Sequence, residues 1–302
     1  MISRRRDSAW FATTNERVAM SIALRLLAGL VVIGILVPLS LRVVEALPSS
    51  FSSRFLRDRT MLLARPTRQA PPVSDADLTT LPPLMQTYLR RSGAVGRARP
   101  RNLRVVFAAQ MRGSPTETWM EARATQYEFF DAPARLFYMN ATKGGLPVDV
   151  YHRYIDSAAT FQVRLVGVYP MVDAKGQAMT NDETVTLMND VLVMAPAAVL
   201  DLPFTFETTG EHTLHATITN AGFTVTAELT FDANGDLIGF TSQDRAHGRD
   251  GGPAVWSTPL SGYREVNGIR IPALGDANWI DARGEWTYGK FEIRDIAYNV
   301  TR

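Results

Sequence analysis

The sequence contains no cysteine, and only 4 of its 302 residues are histidine. The absence of cysteine excludes disulfide bonds, thiolate metal sites and cysteine nucleophiles, and the scarcity of histidine leaves few imidazole ligands or bases. Lysine is also rare, since 29 of the 32 basic residues are arginine. A hydrophobic fraction of 46% with 21% charged residues excludes disorder as the main state, and the length suffices for one large domain or two modest ones.

The formal net charge of +2 is the sum of two unlike parts of the chain. Residues 1–104 carry 17 Lys and Arg against 6 Asp and Glu, whereas residues 105–302 carry 15 against 24. The carboxyl-terminal part is therefore acidic and would repel the phosphate groups of a nucleic acid. We predict that this protein has no nucleic-acid partner.

One uncharged apolar run, LLAGLVVIGILVPLSL, covers residues 26–41 and lies between Arg25 and Arg42. Sixteen residues are fewer than the roughly 20 that a membrane span needs, but both arginines can extend their charged ends to the headgroups, which lengthens the helix to 22–44. A cleaved signal peptide, with a candidate cleavage site at 44–46, and a buried soluble helix are the alternatives. Because 25 residues precede the run, which is long for a signal peptide, the pattern favours an uncleaved anchor.

The anchor divides the chain into four predicted parts. They are a cytoplasmic segment (1–21), the transmembrane anchor (22–44), a Pro/Ser/Arg-rich linker (45–80) and a β-rich domain (81–302). Five arginines precede the span and four follow it closely, so the positive-inside rule decides little about orientation. An amino-terminal anchor with a short leader usually exports the long folded part, and we therefore expect an extracytoplasmic domain. We interpret the linker arginines as a solvated spacer in preference to a lipid-binding patch.

The domain opens with a predicted helix, in the segment LPPLMQTYLRRSGAVG at 81–96. It has prolines in its first turn, one apolar stripe, two arginines in its last turn and Gly93 as a cap. From about residue 102, apolar and polar residues alternate in short segments, most clearly in GFTVTAELTF at 222–231. Asn-Gly turns at 234–235 and 267–268 indicate hairpins. No strand–helix–strand pattern is present, so we predict an antiparallel sheet.

A single helix interrupts the predicted strands. Thr180 and Glu183 have the spacing of a capping box, and apolar residues follow at helical spacing until Pro196. The alternation changes phase near Gly289 and near Asp295, which predicts two β-bulges that curve the sheet. The predicted fold class is α+β, mainly antiparallel β: a long curled sheet, or half-barrel, wrapped around one central helix and preceded by the transmembrane helix. A curved sheet too wide for one helix to fill would leave an apolar trough.

Several segments together resemble a bacterial family of unknown function. They are LPPLMQTYLRRSGAVG (81–96), PAAVL (196–200), YREVNGIRIP (263–272), Trp279 and IAYN (296–299). The resemblance covers most of 81–300 and implies an amino-terminal membrane segment before a β-rich domain, in a protein of the bacterial inner membrane. That family supplies no catalytic residues. The domain is also distantly similar to the lipoprotein-carrier half-barrels of the bacterial envelope.

The residues give little support to metal or catalytic chemistry. His212 and His215 lie three residues apart on a predicted strand and would point to opposite faces. The segment 232–236 begins like a calcium loop but lacks the distant glutamate, and a hairpin turn explains it better. No serine stands in a nucleophile elbow, the glycine-rich loops lack the lysine of a phosphate site, and we predict no cofactor. An acid/base pair would have to come from three carboxylates near apolar segments: Asp149, Asp190 and Asp201.

A hydrophobic ligand site is the hypothesis that the sequence favours most. The candidate contact residues are large side chains of the predicted trough: Trp119, Phe137, Tyr151, Met188, Leu192, Trp256, Trp279, Trp286 and Tyr288. We expect a domain that is not an enzyme and that binds a lipid-like molecule or a lipidated partner beside the membrane. The alternatives are an envelope scaffold module with a filled core, and an enzyme that uses Asp190 or Asp149 as a base.

Overall fold

The computed structural model describes residues 43–245 and 254–301, together with residues 20, 24–26 and 39. In this part of the chain thirteen strands form one sheet, in which every neighbouring pair is antiparallel. The strands are β1 (Asn102–Met111), β2 (Met120–Phe129), β3 (Ala134–Lys143), β4 (Leu146–Ile155), β5 (Ala158–Leu165), β6 (Tyr169–Lys175), β7 (Phe204–Thr208), β8 (Thr213–Asn220), β9 (Phe223–Phe231), β10 (Leu237–Ser242), β11 (Val255–Val266), β12 (Ile269–Asp281) and β13 (Gly284–Tyr298).

The strand order is β6-β5-β4-β3-β2-β1-β13-β12-β11-β10-β9-β8-β7. Two meanders, β1–β6 and β7–β13, are therefore joined where the first strand pairs with the last. The outer strands β6 and β7 do not pair with each other, so the sheet is open, as a half-barrel requires. The prediction of a mainly antiparallel, curled sheet is confirmed.

Both predicted β-bulges occur in β13. Between β1 and β13 the pairing shifts from Val106–Asp295 to Phe107–Ile293, which leaves Arg294 as an extra residue. Between β12 and β13 it shifts from Ala277–Gly289 to Asn278–Thr287. A bulge bends its strand and increases the local twist, so these two irregularities curve the sheet at its centre.

The long helix connects the two outer strands of the sheet across its concave face. This helix, here α4, covers Gln177–Met194 and is followed by a 3-10 helix, Pro196–Leu200. It contacts strands of both meanders, and its second half is buried on all sides. The predicted capping box is wrong, because the helix begins one turn earlier. The Thr180 hydroxyl donates to the Gly176 carbonyl, and Glu183 is buried against the sheet.

The segment predicted as a linker contains a helix that packs on the convex face of the sheet. This helix, α1, covers Phe51–Leu63 and is capped by Ser50, whose side chain accepts a hydrogen bond from the Ser53 amide. Its buried residues are Phe51, Phe55 and Leu62, which lie on one stripe and pack against the aromatic rings of β2–β4. Arginines stand between these apolar residues in the sequence, and two of them, Arg54 and Arg59, also lie over the rings of Tyr151 and Tyr127, so the sequence shows no simple apolar stripe. A short helix, α2 (Asp75–Leu78), follows.

The helix predicted at the start of the domain is α3, Pro83–Arg91. It buries Met85, Tyr88 and Leu89 in the main core, and the Tyr88 hydroxyl donates to the Leu192 carbonyl of α4. Gly93 has the positive φ of +76° that a helix cap at this position needs. Helix α3 thus fixes the carboxyl-terminal end of α4 against the sheet.

The predicted transmembrane anchor, 22–44, falls mostly outside the described residues. Within the described part of the chain no helix has both the length and the apolar content to cross a membrane.

Candidate functional site

A cavity of about 660 Å³ lies between the concave face of the sheet and α4. One wall comes from β1–β6, the other comes from β11–β13, and α4 forms part of its boundary. Small-molecule sites in proteins usually have volumes of roughly 300–1,000 Å³, so this cavity could accommodate one ligand of that size. The predicted trough is therefore present and is not filled by the protein's own side chains.

The wall from β1–β6 explains why the space stays open. Half of the apolar side chains that it presents are valine or alanine, mainly on β4–β6, and the other half are phenylalanine or methionine. The apolar lining residues of this wall are Phe107, Met111, Met120, Phe137, Met139, Ala141, Val148, Val150, Phe161, Val163, Val172 and Ala174. Because α4 spans a wide sheet, short side chains at these positions leave a gap.

The opposite wall carries the larger aromatic rings. The Trp256 indole Nε1 donates a hydrogen bond to the Tyr288 hydroxyl at 3.0 Å. The rings of Trp279 and Tyr288 are stacked at 5.9 Å between centroids, and Trp286 contacts Tyr288 at 6.1 Å. The guanidinium of Arg245 lies 4.3 Å from the Trp256 ring centroid. These mutual contacts hold four large rings in fixed orientations along the cavity.

Beside the β2–β3 turn (130–133), the cavity meets a cluster of buried polar side chains, which we call the polar floor. Arg135 donates from Nε to Asp190 Oδ2 at 2.7 Å and from Nη2 to Gln126 Oε1 at 2.9 Å. Gln126 in turn donates to the same Asp190 oxygen at 2.8 Å. Arg135, Gln126 and Asp190 are 6%, 1% and 9% exposed, so these charge-assisted bonds form away from bulk water.

A second carboxylate of α4, Glu183, lies beside the first, facing His152 and Arg135. His152 Nε2 is 2.6 Å from Glu183 Oε2, and Arg135 Nη1 is 3.6 Å from Glu183 Oε1. Burial alone would raise the pKa of Glu183, but the facing His152 and Arg135 lower it below its ordinary value. Helix α4 is therefore bound to β3 and β4 by two carboxylates, Glu183 and Asp190.

A third buried carboxyl group, Glu128, stands across the β2–β3 pairing from Arg135. Burial and the neighbouring Asp190 raise the pKa of Glu128 well above its ordinary value. Burial also raises the pKa of Asp190, although Arg135 and Gln126 partly oppose the shift. Glu128 is thus held in its neutral form over more of the pH range than an ordinary glutamate.

The structure places five of the nine predicted contact residues on the cavity: Phe137, Trp256, Trp279, Trp286 and Tyr288. The other four lie elsewhere. Met188 and Leu192 are fully buried in the core on another side of α4. Tyr151 faces the convex side, where it packs under α1 and donates to Asp58. Trp119 lies in the β1–β2 loop between Arg112 and Lys290, 4.4 and 4.9 Å from its ring centroid.

Of the three candidate carboxylates, Asp190 lines the cavity. Asp149 accepts from Asn140 on the convex side, and Asp201 pairs with Arg99 and Arg101. The predicted site residues did not include the rest of the polar floor or the valines and methionines of the β1–β6 wall. The short apolar side chains gave no signal, whereas the pairing of Glu128 with Arg135 could be anticipated only from the register of β2 and β3.

Within the described residues no group of three or more acidic or histidine side chains has the geometry to hold a metal ion. His212 and His215 lie near Glu211 and Glu228 respectively. The calcium-like segment forms the β9–β10 turn, as the hairpin interpretation requires. Asp232 accepts backbone hydrogen bonds within that turn, and Asp236 accepts from two arginines, Arg91 and Arg270.

The profile of a family of unknown function, DUF6544, matches residues 71–291, which is most of the chain. The chain belongs to the DUF6544 family. The predicted resemblance to a family of unknown function is confirmed, and helix α1 precedes the matched segment of the DUF6544 chain. No curated protein matches it.

Three solved structures are similar to this DUF6544 chain at 8–9% identity, each over 72% of its length. A putative outer membrane lipoprotein-sorting protein domain from Vibrio parahaemolyticus is covered to 93% with a TM-score of 0.42. A LolA superfamily protein from Nitrosomonas europaea is covered to 92% (TM-score 0.37), and a DUF1329 family protein from Desulfovibrio piger to 93% (TM-score 0.36).

Proposed function

We propose that this DUF6544 protein is a non-catalytic binding domain that holds a hydrophobic or lipid-like ligand, or the lipid group of a lipidated partner, in the cavity. The observation that carries the proposal is the unfilled volume of about 660 Å³. At ~24 cal/mol per Å³, a dry, empty cavity of this size would cost about 16 kcal/mol. Whole domains are stable by roughly 5–15 kcal/mol, so the cavity must hold solvent or a ligand. Its apolar walls favour an apolar occupant over water.

We further propose that the domain is anchored at the bacterial inner membrane by 22–44, with its folded part outside the cytoplasm. Exposed apolar side chains at one end of the sheet support a membrane-facing orientation. Leu146 at the start of β4 and Val168 in the β5–β6 turn are 48% and 57% exposed, and Tyr169 at the start of β6 is 66% exposed. Val44, at the end of the predicted anchor, lies against Gly167 of the same turn. The bilayer would cover these side chains and would supply the ligand.

Single-cysteine labelling tests this orientation, because the chain has no cysteine of its own. Val168→Cys and Ala158→Cys variants of the full chain would carry an environment-sensitive fluorophore in nanodiscs that contain doxyl-labelled lipid. Ala158 is exposed at the opposite end of β5, about 23 Å away at ~3.3 Å per residue. We expect blue-shifted emission and strong quenching at position 168 alone. Water-like emission at both positions would refute the membrane contact.

Ligand binding is tested with a dibrominated C18 alcohol, because bromine quenches tryptophan fluorescence at short range. Three of the five tryptophans, Trp256, Trp279 and Trp286, line the cavity. We expect saturable quenching of most of the tryptophan emission of the full chain, and co-purifying lipid in native mass spectrometry after gentle extraction. Quenching that does not saturate as the brominated alcohol is added, together with a native mass spectrum of the protein without bound lipid, would refute the binding proposal.

A second candidate function, a carboxylate-dependent enzyme, has one supporting observation, which is that Asp190 lines the cavity. Against it, Asp190 Oδ2 already accepts from Arg135 and Gln126, which suits a structural role. Mass spectrometry of the co-purified molecule before and after prolonged incubation separates the two. An unchanged ligand supports the carrier, and a conversion that stops in Asp190→Asn supports the enzyme. The third alternative, a scaffold with a filled core, conflicts with the cavity.

A further inference from the structure

The polar floor contains an arginine and a histidine, which at first suggests a site for an anionic group. The hydrogen bonds of Arg135 argue otherwise. Its Nε, Nη1 and Nη2 atoms contact Asp190, His152 and Gln126, and Nη1 also lies near Glu183. His152 Nε2 is directed at Glu183. Arg135 and His152 therefore already face groups of the protein itself.

The atoms of the floor that remain open toward the cavity are acceptors. Both hydrogen bonds that the described residues give Asp190 fall on Oδ2, and Oδ1 receives none. Asn189, the next residue of α4, donates through Nδ2 to the Thr258 hydroxyl at 2.6 Å, and its Oδ1 likewise receives no hydrogen bond. Both residues line the cavity and are more than nine-tenths buried. A ligand that donates hydrogen bonds to these two acceptors would satisfy them inside the cavity.

The charge of the cavity walls agrees with this pattern of acceptors. Besides Asp190, the carboxylates Asp182 and Asp276 line the cavity. A carboxylate or phosphate group brought to the floor would meet Asp190 at close range in a poorly hydrated site. The remaining lining arginines, Arg245 and Arg112, are stacked on Trp256 and Trp119 respectively and are not part of the floor.

From these contacts we infer that the ligand is an amphiphile whose polar end donates hydrogen bonds to Asp190 Oδ1 and Asn189 Oδ1. An alcohol, an amide N–H or an ammonium group fits the floor, and an anionic group does not. The apolar chain then lies along the valines and methionines of β3–β6. This inference rests on the proposed binding function, because it names the class of ligand for the same cavity.

The experiment compares three probes that share one chain and differ in the polar end: decanol, decylammonium and decanoate. Each competes with the dibrominated C18 alcohol for the full chain, and recovery of tryptophan fluorescence gives its affinity. For the wild-type chain we expect decanol and decylammonium to bind at least tenfold more tightly than decanoate. This order needs no variant, so it does not depend on whether any substitution folds.

The variant Asp190→Asn changes the floor in a defined way. If its carbonyl oxygen keeps the hydrogen bonds from Arg135 and Gln126, its NH₂ group replaces Oδ1 and turns an acceptor into a donor. We expect decylammonium to lose at least tenfold in affinity and decanoate to gain. Asp173→Asn serves as the matched control, because Asp173 is an exposed carboxylate of β6 that does not line the cavity, and it should change each affinity by less than threefold.

Three outcomes can be told apart. Decanoate that binds the wild-type chain as tightly as decanol, or an order of affinities that Asp190→Asn leaves unchanged, would overturn the inference and leave the binding function standing. Failure of the brominated reporter and of all three probes to bind would overturn the binding function itself. The tenfold preference together with its reversal in Asp190→Asn supports both.

Discussion

The substitution Ala141→Phe distinguishes an open cavity from a filled core. Ala141 is a buried residue of β3 whose side chain faces the cavity beside the short side chains of β4. In a filled core the added ring would have to displace its neighbours, and such overpacking costs about 1–3 kcal/mol. In a cavity of about 660 Å³ the ring has room, and its burial gains apolar contact.

The two cases differ in the sign of the stability change. A change of 1 kcal/mol shifts the Tm of a domain of 150–250 residues by about 2–4 °C, so overpacking would lower the Tm by roughly 2–12 °C. We expect Ala141→Phe to leave the Tm unchanged or to raise it. The matched control is Ala216→Phe, since Ala216 is fully buried against α4 and does not line the cavity. That variant should lose several degrees in thermal unfolding followed by circular dichroism.

The same variant removes volume that a ligand would occupy. We expect Ala141→Phe to weaken quenching by the dibrominated C18 alcohol at least tenfold while the protein stays folded. If Ala141→Phe and Ala216→Phe lower the Tm equally, the cavity is not open in solution, and the reasoning from its volume fails.

Three further predictions concern the supports of the site. Phe55→Ala should cost about 3–5 kcal/mol of side-chain packing and raise hydrogen exchange throughout α1. Leu56→Ala, at a position that is 45% exposed, should do neither, and equal exchange in the two variants would mean that α1 is not docked. Burial raises the pKa of Glu128, so the contribution of Glu128 to stability is present below about pH 4.5 and is lost as pH rises further. The stability of the wild-type chain relative to Glu128→Gln should therefore fall as pH rises above about 4.5, and parallel Tm–pH curves would contradict this. Burial raises the pKa of Asp236 but its two arginine partners lower it further, so the stability advantage over Asp236→Asn should be present at neutral pH and fade as pH falls below about 4; a constant difference down to pH 2 would contradict it.

Local sequence signals predicted the sheet well. Alternation located β8 and β9, and the two Asn-Gly pairs lie in tight turns, where Asn267, Gly268 and Gly235 have the positive φ that such turns need. The phase changes in β13 located both bulges. These features depend on residues close together in sequence, and the same reasoning found the rings of β11–β13 because large aromatic side chains are rare and conspicuous.

The polar floor and α1 could not be found in that way, because each depends on the other side of the sheet. In β2 the apolar side chains of Tyr127 and Phe129 point to the convex face, under α1, while Gln126 and Glu128 point to the concave face. Alternation alone would assign the polar residues to solvent. The assignment is reversed because α1 covers the convex face and because α4 supplies the partner of Gln126.

The polar floor also accounts for the persistence of the cavity. A helix that spans a wide sheet would gain apolar contact by moving toward the short side chains of β3–β6. Glu183 and Asp190 hold α4 to His152 and Arg135, and any such movement would break these contacts. Breaking one member out of a buried charged network costs about 3–5 kcal/mol, because the remaining charge stays buried without its partner. The network therefore fixes the separation of helix and sheet. In doing so it keeps open the cavity that Asp190 lines.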